Sequence, residues 1–416
     1  MIRTVITKHL KYPAARTQAQ FYTKQKSLIS VALILVVVLS TSCKTLIESR
    51  DVRPLVLRDV PAQRLAFRFT PDAEIPAELL NDSADTPVEA IQLDFSSRRQ
   101  EEALIKTVRS PDGQRALALY GTADTPGPVF RIDLYSTDGN FLRNITPPDL
   151  ACVFPETVAW SPQGNYITFV ARKTPVASPS PTPEGAVPPE TLAASPLPSI
   201  APAFPSVPLF ATEQIYICDR DGYGIKPLTS REGLIYFYFS WAPDNHALVA
   251  IACRESEWDA REREYKMPAG RPRLITLDGN ERLLDDRLTE ALPVWSPDSS
   301  KVATAFETDA MIYDAATNQP TQGRIKLSDP LLAASRIFDA RQSGKQDNAN
   351  TGEQNQNSGS TEVIPASFNP IIRLKWATPE KLYLQTAFVR LIPGEPITTF
   401  QRWHLVTLSP QAAILR

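Results

Sequence analysis

Apolar and polar positions alternate along most of this 416-residue chain in runs of about five, and the runs stop at Pro, Asp, Asn or Gly. Period-two alternation bounded by turn residues is the signal of antiparallel strands. Residues 157–229 carry the fullest example: 157–160, a proline turn, 166–170, a long interruption, 214–218, the turn Asp219-Arg220-Asp221-Gly222, and 225–229. That is four short strands. The same order returns at 116–120, 129–134 and 141–146, at 248–252, 273–277 and 282–284, and at 302–306 and 311–314.

A corner motif ties these groups together. Trp160-Ser161-Pro162-Gln163-Gly164, Trp241-Ala242-Pro243-Asp244-Asn245, Trp295-Ser296-Pro297-Asp298-Ser299 and Trp376-Ala377-Thr378-Pro379-Glu380 each follow a strand, and two weaker copies precede them, Arg109-Ser110-Pro111-Asp112-Gly113 and Phe69-Thr70-Pro71-Asp72-Ala73. Proline presets the second turn position and Asp or Asn caps the turn, so each corner closes a tight hairpin. The six copies start at 70, 110, 161, 242, 296 and 377, and each spacing of 81 contains an insert of biased composition: 174–208, with eleven prolines, and the Gln/Asn/Gly/Ser-rich 341–360. Without the inserts the period is about 40 to 60 residues, the range of a propeller blade. The expectation is an all-β chain, a six-bladed β-propeller of four-stranded antiparallel blades. A Trp recurring at blade spacing fills the gap between blades and serves packing. The Asp219-x-Asp221-Gly222 sequence reads as a turn, since the ligand spacing of a calcium loop is absent.

The unit Trp160 to Gly164, Ile167 to Phe169, Ile215 to Asp219, Asp221-Gly222 and Leu228-Thr229 resembles the blade signature of the TolB-like, WD-repeat-related six-bladed propellers. The resemblance covers about 55–416 and implies the fold, without the separate amino-terminal domain of TolB. It implies no particular activity, because such blades serve unrelated roles.

Composition alters the picture mainly at the amino terminus. Lys24 and Lys26 precede an apolar run at 28–39, followed by Ser40-Thr41-Ser42-Cys43. About a dozen apolar residues are short for a bilayer span and suit the apolar core of an export signal. The small residues before Cys43 resemble the lipobox of bacterial lipoproteins, which implies cleavage and lipidation at Cys43. The expected organisation is a signal peptide of lipoprotein type at 1–42, an anchor and short linker at 43–54, and the propeller at 55–416 with flexible inserts at 174–208 and 341–360. Positive-inside charge places the chain after Cys43 outside the cytoplasm. Six of the 44 basic residues and none of the 46 acidic ones precede Cys43. The remainder is therefore net acidic, a poor match for nucleic-acid backbones, and no nucleic-acid partner is expected. Of the remaining cysteines, Cys152, Cys218 and Cys253, the last two lie in strand-like runs and read as buried free thiols, with a Cys218 to Cys253 bridge as the alternative.

Catalytic patterns are missing. After Cys43 the only imidazoles are His246, at a corner, and His404, in a strand-like run; there is no Gly-x-Ser-x-Gly elbow, phosphate loop or His-rich metal site, so no enzyme, cofactor or metal is expected. Within an antiparallel meander the proline corners and Asp-Gly turns share one rim, while 174–208, 254–272 and 341–360 project from the other. Loops on a rigid scaffold usually carry recognition. In 254–272, Trp258, Arg261, Arg263 and Tyr265 form the candidate binding set, with Trp258 and Tyr265 seven apart and sharing one face of a short helix; pinning the loop to the rim is the simpler role for the two aromatics. The function expected is a monomeric, lipid-anchored, non-catalytic propeller that binds or scaffolds another envelope protein. The alternative is a carbohydrate-active or glycan-binding propeller using its axial funnel.

Overall fold

The computed structural model describes residues 57–80, 87–99, 102–121, 129–174, 210–316, 321–347, 366–391 and 398–410. The expected signal peptide, Cys43, the linker, residues 175–208 of the first insert and residues 348–360 of the second lie outside them. Among the described residues no helix is long and apolar enough to cross a membrane.

Strand β1 (Leu65–Thr70) is followed by four strands in unit one: β2 (Ala103–Arg109), β3 (Arg115–Gly121), β4 (Phe130–Ser136) and β5 (Phe141–Asn144). A short β6 (Leu150–Cys152) bridges to unit two, which is β7 (Ala159–Trp160), β8 (Tyr166–Lys173), β9 (Gln214–Asp219) and β10 (Lys226–Pro227). Unit three is β11 (Leu234–Trp241), β12 (Ala247–Arg254), β13 (Arg271–Thr276) and β14 (Glu281–Leu283). Unit four is β15 (Val294–Trp295), β16 (Lys301–Phe306), β17 (Asp309–Asp314) and β18 (Gln322–Lys326). A short β19 (Ala366–Phe368) precedes β20 (Ile371–Thr378), β21 (Lys381–Leu391) and β22 (Thr398–Pro410). The fourth strand beside β22 is β1, paired antiparallel with Leu65 opposite Pro410 and Thr70 opposite Leu405.

The described residues therefore form five four-stranded antiparallel units where the corner spacing predicts six. The difference lies in the first copy, Phe69 to Ala73. Phe69 and Thr70 end β1, whose partner is β22 some 330 residues away, so this copy turns no hairpin.

The units pack face to face in chain order, as a propeller-type fold requires. Leu117, Leu119 and Ile132 of unit one meet Trp160, Ile167 and Phe169 of unit two. Val170 and Ile215 meet Trp241 and Leu248 of unit three. Val249 and Leu274 meet Trp295 and Val302 of unit four, and Ala303, Ala305 and Ile312 meet Trp376, Leu382 and Val406 of unit five. Central strands are thereby covered on both faces, so Ala116 to Tyr120, Leu248 to Cys253 and Lys301 to Phe306 are buried without interruption. A strand sandwiched in this way loses its alternation, because neither face meets water. Outer strands such as β18 keep exposed positions.

Each corner tryptophan reaches back to the preceding unit. Trp160 Nε1 donates to Val108 O at 3.1 Å, Trp241 Nε1 to Thr168 Oγ1 at 2.9 Å, Trp295 Nε1 to Ser240 O at 3.0 Å and Trp376 Nε1 to Val294 O at 3.3 Å. An indole needs a partner for its N–H when buried, and the inner strand of the neighbour supplies one, except for Trp241, whose acceptor lies in the second strand, β8. The corner turn is built the same way in units one to four, after Arg109 in unit one and after a tryptophan in the others, with the fourth residue's N–H donating to the first residue's carbonyl: Gly113 to Ser110, Gly164 to Ser161, Asn245 to Ala242 and Ser299 to Ser296. Those four donors have φ of 67°, 71°, 70° and 59°, a region Gly and Asn enter most readily.

Unit one has no preceding corner tryptophan on its other face. Helix α1 (Glu89–Arg98) covers it, with Val88 and Ile91 packed on Ala116, Ala118, Tyr120 and Tyr135. Helix α2 (Glu255–Arg263) lies between β12 and β13, and α3 (Ser328–Asp347) between β18 and β19. The first seven residues of the insert expected at 341–360 thus belong to a helix.

Candidate binding groove

The four proline corners and the β4–β5, β9–β10, β13–β14 and β17–β18 connections share one end of the units, here the turn rim. The 219–222 turn belongs to it: Gly222 N donates to Asp219 O, and Asp221 N and Tyr223 N to Asp219 Oδ1 at 2.9 and 2.7 Å. Asp219 thus spends its side chain on the backbone, and Asp221 pairs with Arg115 of unit one. At the opposite end, the loop rim, the chain carries α2, the crossing from β14 to β15 and the start of α3.

Helix α2 is fixed by its first turn. Glu257 receives Arg254 N at 2.9 Å and grips Arg271 of β13 with both oxygens, at 2.8 and 2.9 Å, which holds its carboxyl below the usual range. Trp258 then sits between Phe154 and Phe237, ring centroids 5.7 and 5.4 Å away, and so pins the helix to the rim. The helix ends at Arg263, and Tyr265 follows with φ 52° and 98% exposure. Trp258 and Tyr265 therefore share no helix face, contrary to the expectation from their spacing: the helix stops at Arg263, Glu264 caps it, and Tyr265 itself leaves the helical path with its positive φ. Arg263 bonds back to Asp259 O at 3.1 Å on the exposed side. Arg261 turns the other way, donating to Met267 O and pairing with Glu290.

Arg261 and Met267 form one wall of a groove of about 1020 Å³ spanning units three to five. Its floor is small and apolar, with Ala269, Ala291, Ala305 and Ile371 all buried. Phe306 is also buried there, and the Arg287 guanidinium lies over its ring, 4.0 Å from the centroid. Arg287 is oriented by Asp285, Nε to Oδ1 and Nη2 to Oδ2 both at 3.2 Å. Burial works to raise the Asp285 carboxyl, but the hydrogen bonds from Arg287 and Tyr313 outweigh it and keep it low. Along the lips Met267, Leu288 and Ile372 are exposed at 70%, 37% and 39%. Charges frame them: Arg261 with Glu290, Arg324 with Asp309, then Lys326 and Glu307. The surface is an apolar trough edged by both signs of charge.

Of the four expected binding residues, only Arg261 lines this groove. Leu288, Phe306 and Ile372 were invisible as site residues because they come from the β14–β15 crossing, unit four and unit five. A partial signal existed in Asp285-Asp286-Arg287-Leu288, charged residues around one aliphatic in a crossing segment.

The histidines and cysteines lie away from the groove. His404 is buried, accepts Asp72 N at Nδ1 (3.2 Å) and meets Thr386 Oγ1 at 3.0 Å. Burial, helped by nearby Arg402, lowers its pKa to about 4, so the ring is neutral. His246 is exposed on the turn rim. Cys152, Cys218 and Cys253 are free and buried. Burial raises all three thiols, Cys218 and Cys253 to about 12, so none is a nucleophile at neutral pH. Among the described residues no group of three His, Cys, Asp or Glu is arranged to hold a metal ion.

No family model matches the sequence, and no curated protein matches it. Solved structures similar to this chain include "putative TolB" from Agrobacterium tumefaciens, 12% identical with a TM-score of 0.29, covering 74% of this chain and 91% of that one. Prolyl oligopeptidase B from Galerina marginata is 9% identical with a TM-score of 0.37, covering 83% of this chain and 45% of that one. The N-terminal domain of Nup159 is 10% identical with a TM-score of 0.35, covering 84% and 66%. This chain thus spans less than half of the prolyl oligopeptidase. Similarity at this level says nothing of substrate or partner, and the five-unit arrangement rests on the chain's own pairings.

Proposed function

We propose that this chain is a non-catalytic, lipid-anchored propeller-type module on the outer side of a membrane, whose loop-rim groove holds another envelope protein. The observation that carries the reading is the groove itself: exposed Met267 of unit three, Leu288 of the β14–β15 crossing and Ile372 of unit five converge over an apolar floor. Exposed aliphatic side chains scattered singly mean little, but several in one concavity edged by charge mark a contact surface. The stacking of units three, four and five brings the lips together in the chain by itself, and a surface already assembled limits the entropy lost on binding. The basic and apolar run before Cys43 supports the anchor, and the resemblance to TolB-like propellers fits an envelope setting.

A photo-crosslinking amino acid placed at Leu288 in the full chain, in cells, tests this. The expected result is a discrete protein adduct that disappears when Arg287→Glu is added and is absent when the probe is at His246 on the turn rim. Equal adducts at both positions, or none at Leu288, would remove the groove as the binding surface.

A further inference from the structure

The repeat supplies an internal comparison for the groove. Four residues before the corner tryptophan, unit three has Phe237 and unit four has Ala291. Phe237 is the bulge residue of β11, left out of the ladder between Tyr236 and Tyr238, and its ring lies 5.4 Å from that of Trp258. Trp258 comes from α2, in the connection between the second and third strands of that unit, and its other neighbour is Phe154 at 5.7 Å. Unit three therefore closes its own loop rim with an aromatic cluster. Unit four has neither part: its second and third strands are joined by Glu307 and Thr308 alone, and Ala291, 4% exposed, ends at a methyl. Ala305 of β16 is equally small and lines the same floor. A bulge in β20 puts Ile372, four before Trp376, on the lip. At one offset in the repeat, the groove is open where the neighbouring unit is filled by rings.

Arg287 gives that opening a specific chemistry. Its guanidinium lies over Phe306, 4.0 Å from the ring centroid, and its Nε and Nη2 edge is taken by Asp285, both bonds at 3.2 Å. Asp285 in turn accepts the Tyr313 hydroxyl at 2.9 Å. Ring and carboxylate thus fix the guanidinium plane before any occupant arrives. The side chain is still 44% exposed and borders the groove, so the face turned away from Phe306 is the one an occupant meets. A delocalised, weakly hydrated guanidinium attracts the negative face of an aromatic ring. Charge argues against an acidic occupant: Arg261, Arg287 and Arg324 each already have a carboxylate, in Glu290, Asp285 and Asp309, while Lys326 and Glu307 add one charge of each sign. We infer that the groove holds its protein partner through an uncharged aromatic side chain, whose ring stacks on Arg287 opposite Phe306 and fills the space over Ala291 and Ala305. This names the anchor of the contact proposed above and rests on that reading.

Two probes of similar shape separate an aromatic seat from an apolar one: N-acetylphenylalaninamide, and N-acetylcyclohexylalaninamide, whose saturated ring is the more apolar. The full chain is prepared with methyl-labelled methionine for magnetic resonance. Met267 on the groove lip reports binding, and Met311, buried in the core, reports an intact fold. The phenyl probe should saturate the Met267 shift at about threefold lower concentration than the cyclohexyl probe, the size of an exposed cation–π contact. In Arg287→Leu, with Met311 unmoved, that preference should vanish. Equal or weaker binding of the phenyl probe, a preference that survives Arg287→Leu, or no response of Met267 to either probe overturns the aromatic anchor. The crosslink at Leu288 tells this failure from that of the contact itself: an adduct without the phenyl preference removes the anchor and leaves the groove, while the preference without an adduct removes the protein partner and leaves the ring seat.

Discussion

Asp72 and Arg402 meet as a two-point ion pair across 330 positions of sequence, Nε to Oδ1 and Nη2 to Oδ2 both at 2.7 Å. Arg402 is nearly buried, lies over the Phe338 ring of α3 at 4.6 Å, and donates to Ala334 O. The pair therefore fastens three things at once: the chain leaving β1, the last hairpin, and α3. A fork-shaped guanidinium holding a carboxylate with two parallel bonds suits such a junction.

Arg402→Met should cost more stability than Asp72→Asn, because it also strips the contacts to α3 and leaves Asp72 without its partner. With Asp72 partly exposed, about 2–3 kcal/mol is expected for Arg402→Met and about 1 kcal/mol for Asp72→Asn. Urea midpoints at constant m-value measure both; equal losses would mean that the α3 contacts contribute nothing.

Next to this pair, His404 makes stability depend on pH. Its pKa is lowered to about 4 in the folded protein, whereas the unfolded chain takes up a proton near pH 6.5. The unfolded state binds more protons between those values, so stability is full above about pH 6.5 and declines as pH falls toward 4, by at most about 3 kcal/mol from this group. Chemical denaturation at pH 7.5 and pH 4.5 should show the decline, and His404→Gln should flatten it. An unchanged slope in that variant would assign the effect to other groups.

The Trp241 indole and the Thr168 hydroxyl bond units three and two, with Thr168 in turn donating to Ala159 O at 3.3 Å. Trp241→Phe keeps most of the ring while removing the N–H, and should cost about 1 kcal/mol beyond its loss of area. Thr168→Val removes the acceptor. A double-mutant cycle on thermal unfolding is expected to give a coupling near 1 kcal/mol; additive losses would show that the ring packs without using its donor.

Lys301 and Asp314 are buried together at the foot of unit four. Lys301→Met leaves a buried carboxylate with its principal countercharge gone and should cost about 3–5 kcal/mol, while the double variant Lys301→Met, Asp314→Leu should recover much of that loss. Limited trypsin digestion at Arg58 and Arg64 provides a local readout. Cleavage there should accelerate in the single variant, since Lys301 Nζ donates to Val60 O and Asp314 Oδ2 accepts Ala62 N; resistance equal to the parent would show the segment to be fastened by other contacts.

How far the sequence went can be followed position by position. The corners at Trp160, Trp241 and Trp295 declared hairpins, because proline and a positive-φ residue at fixed offsets permit little else; Trp376 marked one with its proline a position later and no positive φ, and strand length and order followed from period-two runs. Turn chemistry of this kind is local, settled by atoms a few residues apart. What the sequence misjudged was non-local. Phe69-Thr70-Pro71-Asp72 has the letters of a corner, but β22 offers β1 a strand edge and Arg402 offers Asp72 a partner, and neither is visible from position 69. The α1 and α3 helices were likewise missed, although Ile91 and Phe95, and Leu331, Ala334, Ser335 and Phe338, follow helical spacing; which sheet face needed covering was fixed only once the units were stacked. The groove is the extreme case. Its residues are scattered over more than a hundred positions and share no motif, so only the packing of units three, four and five brings Arg261, Leu288, Phe306 and Ile372 to one surface. Short-range sterics set the strands and turns from sequence alone, while partner choice and surface convergence depend on burial between distant segments, which tertiary structure decides.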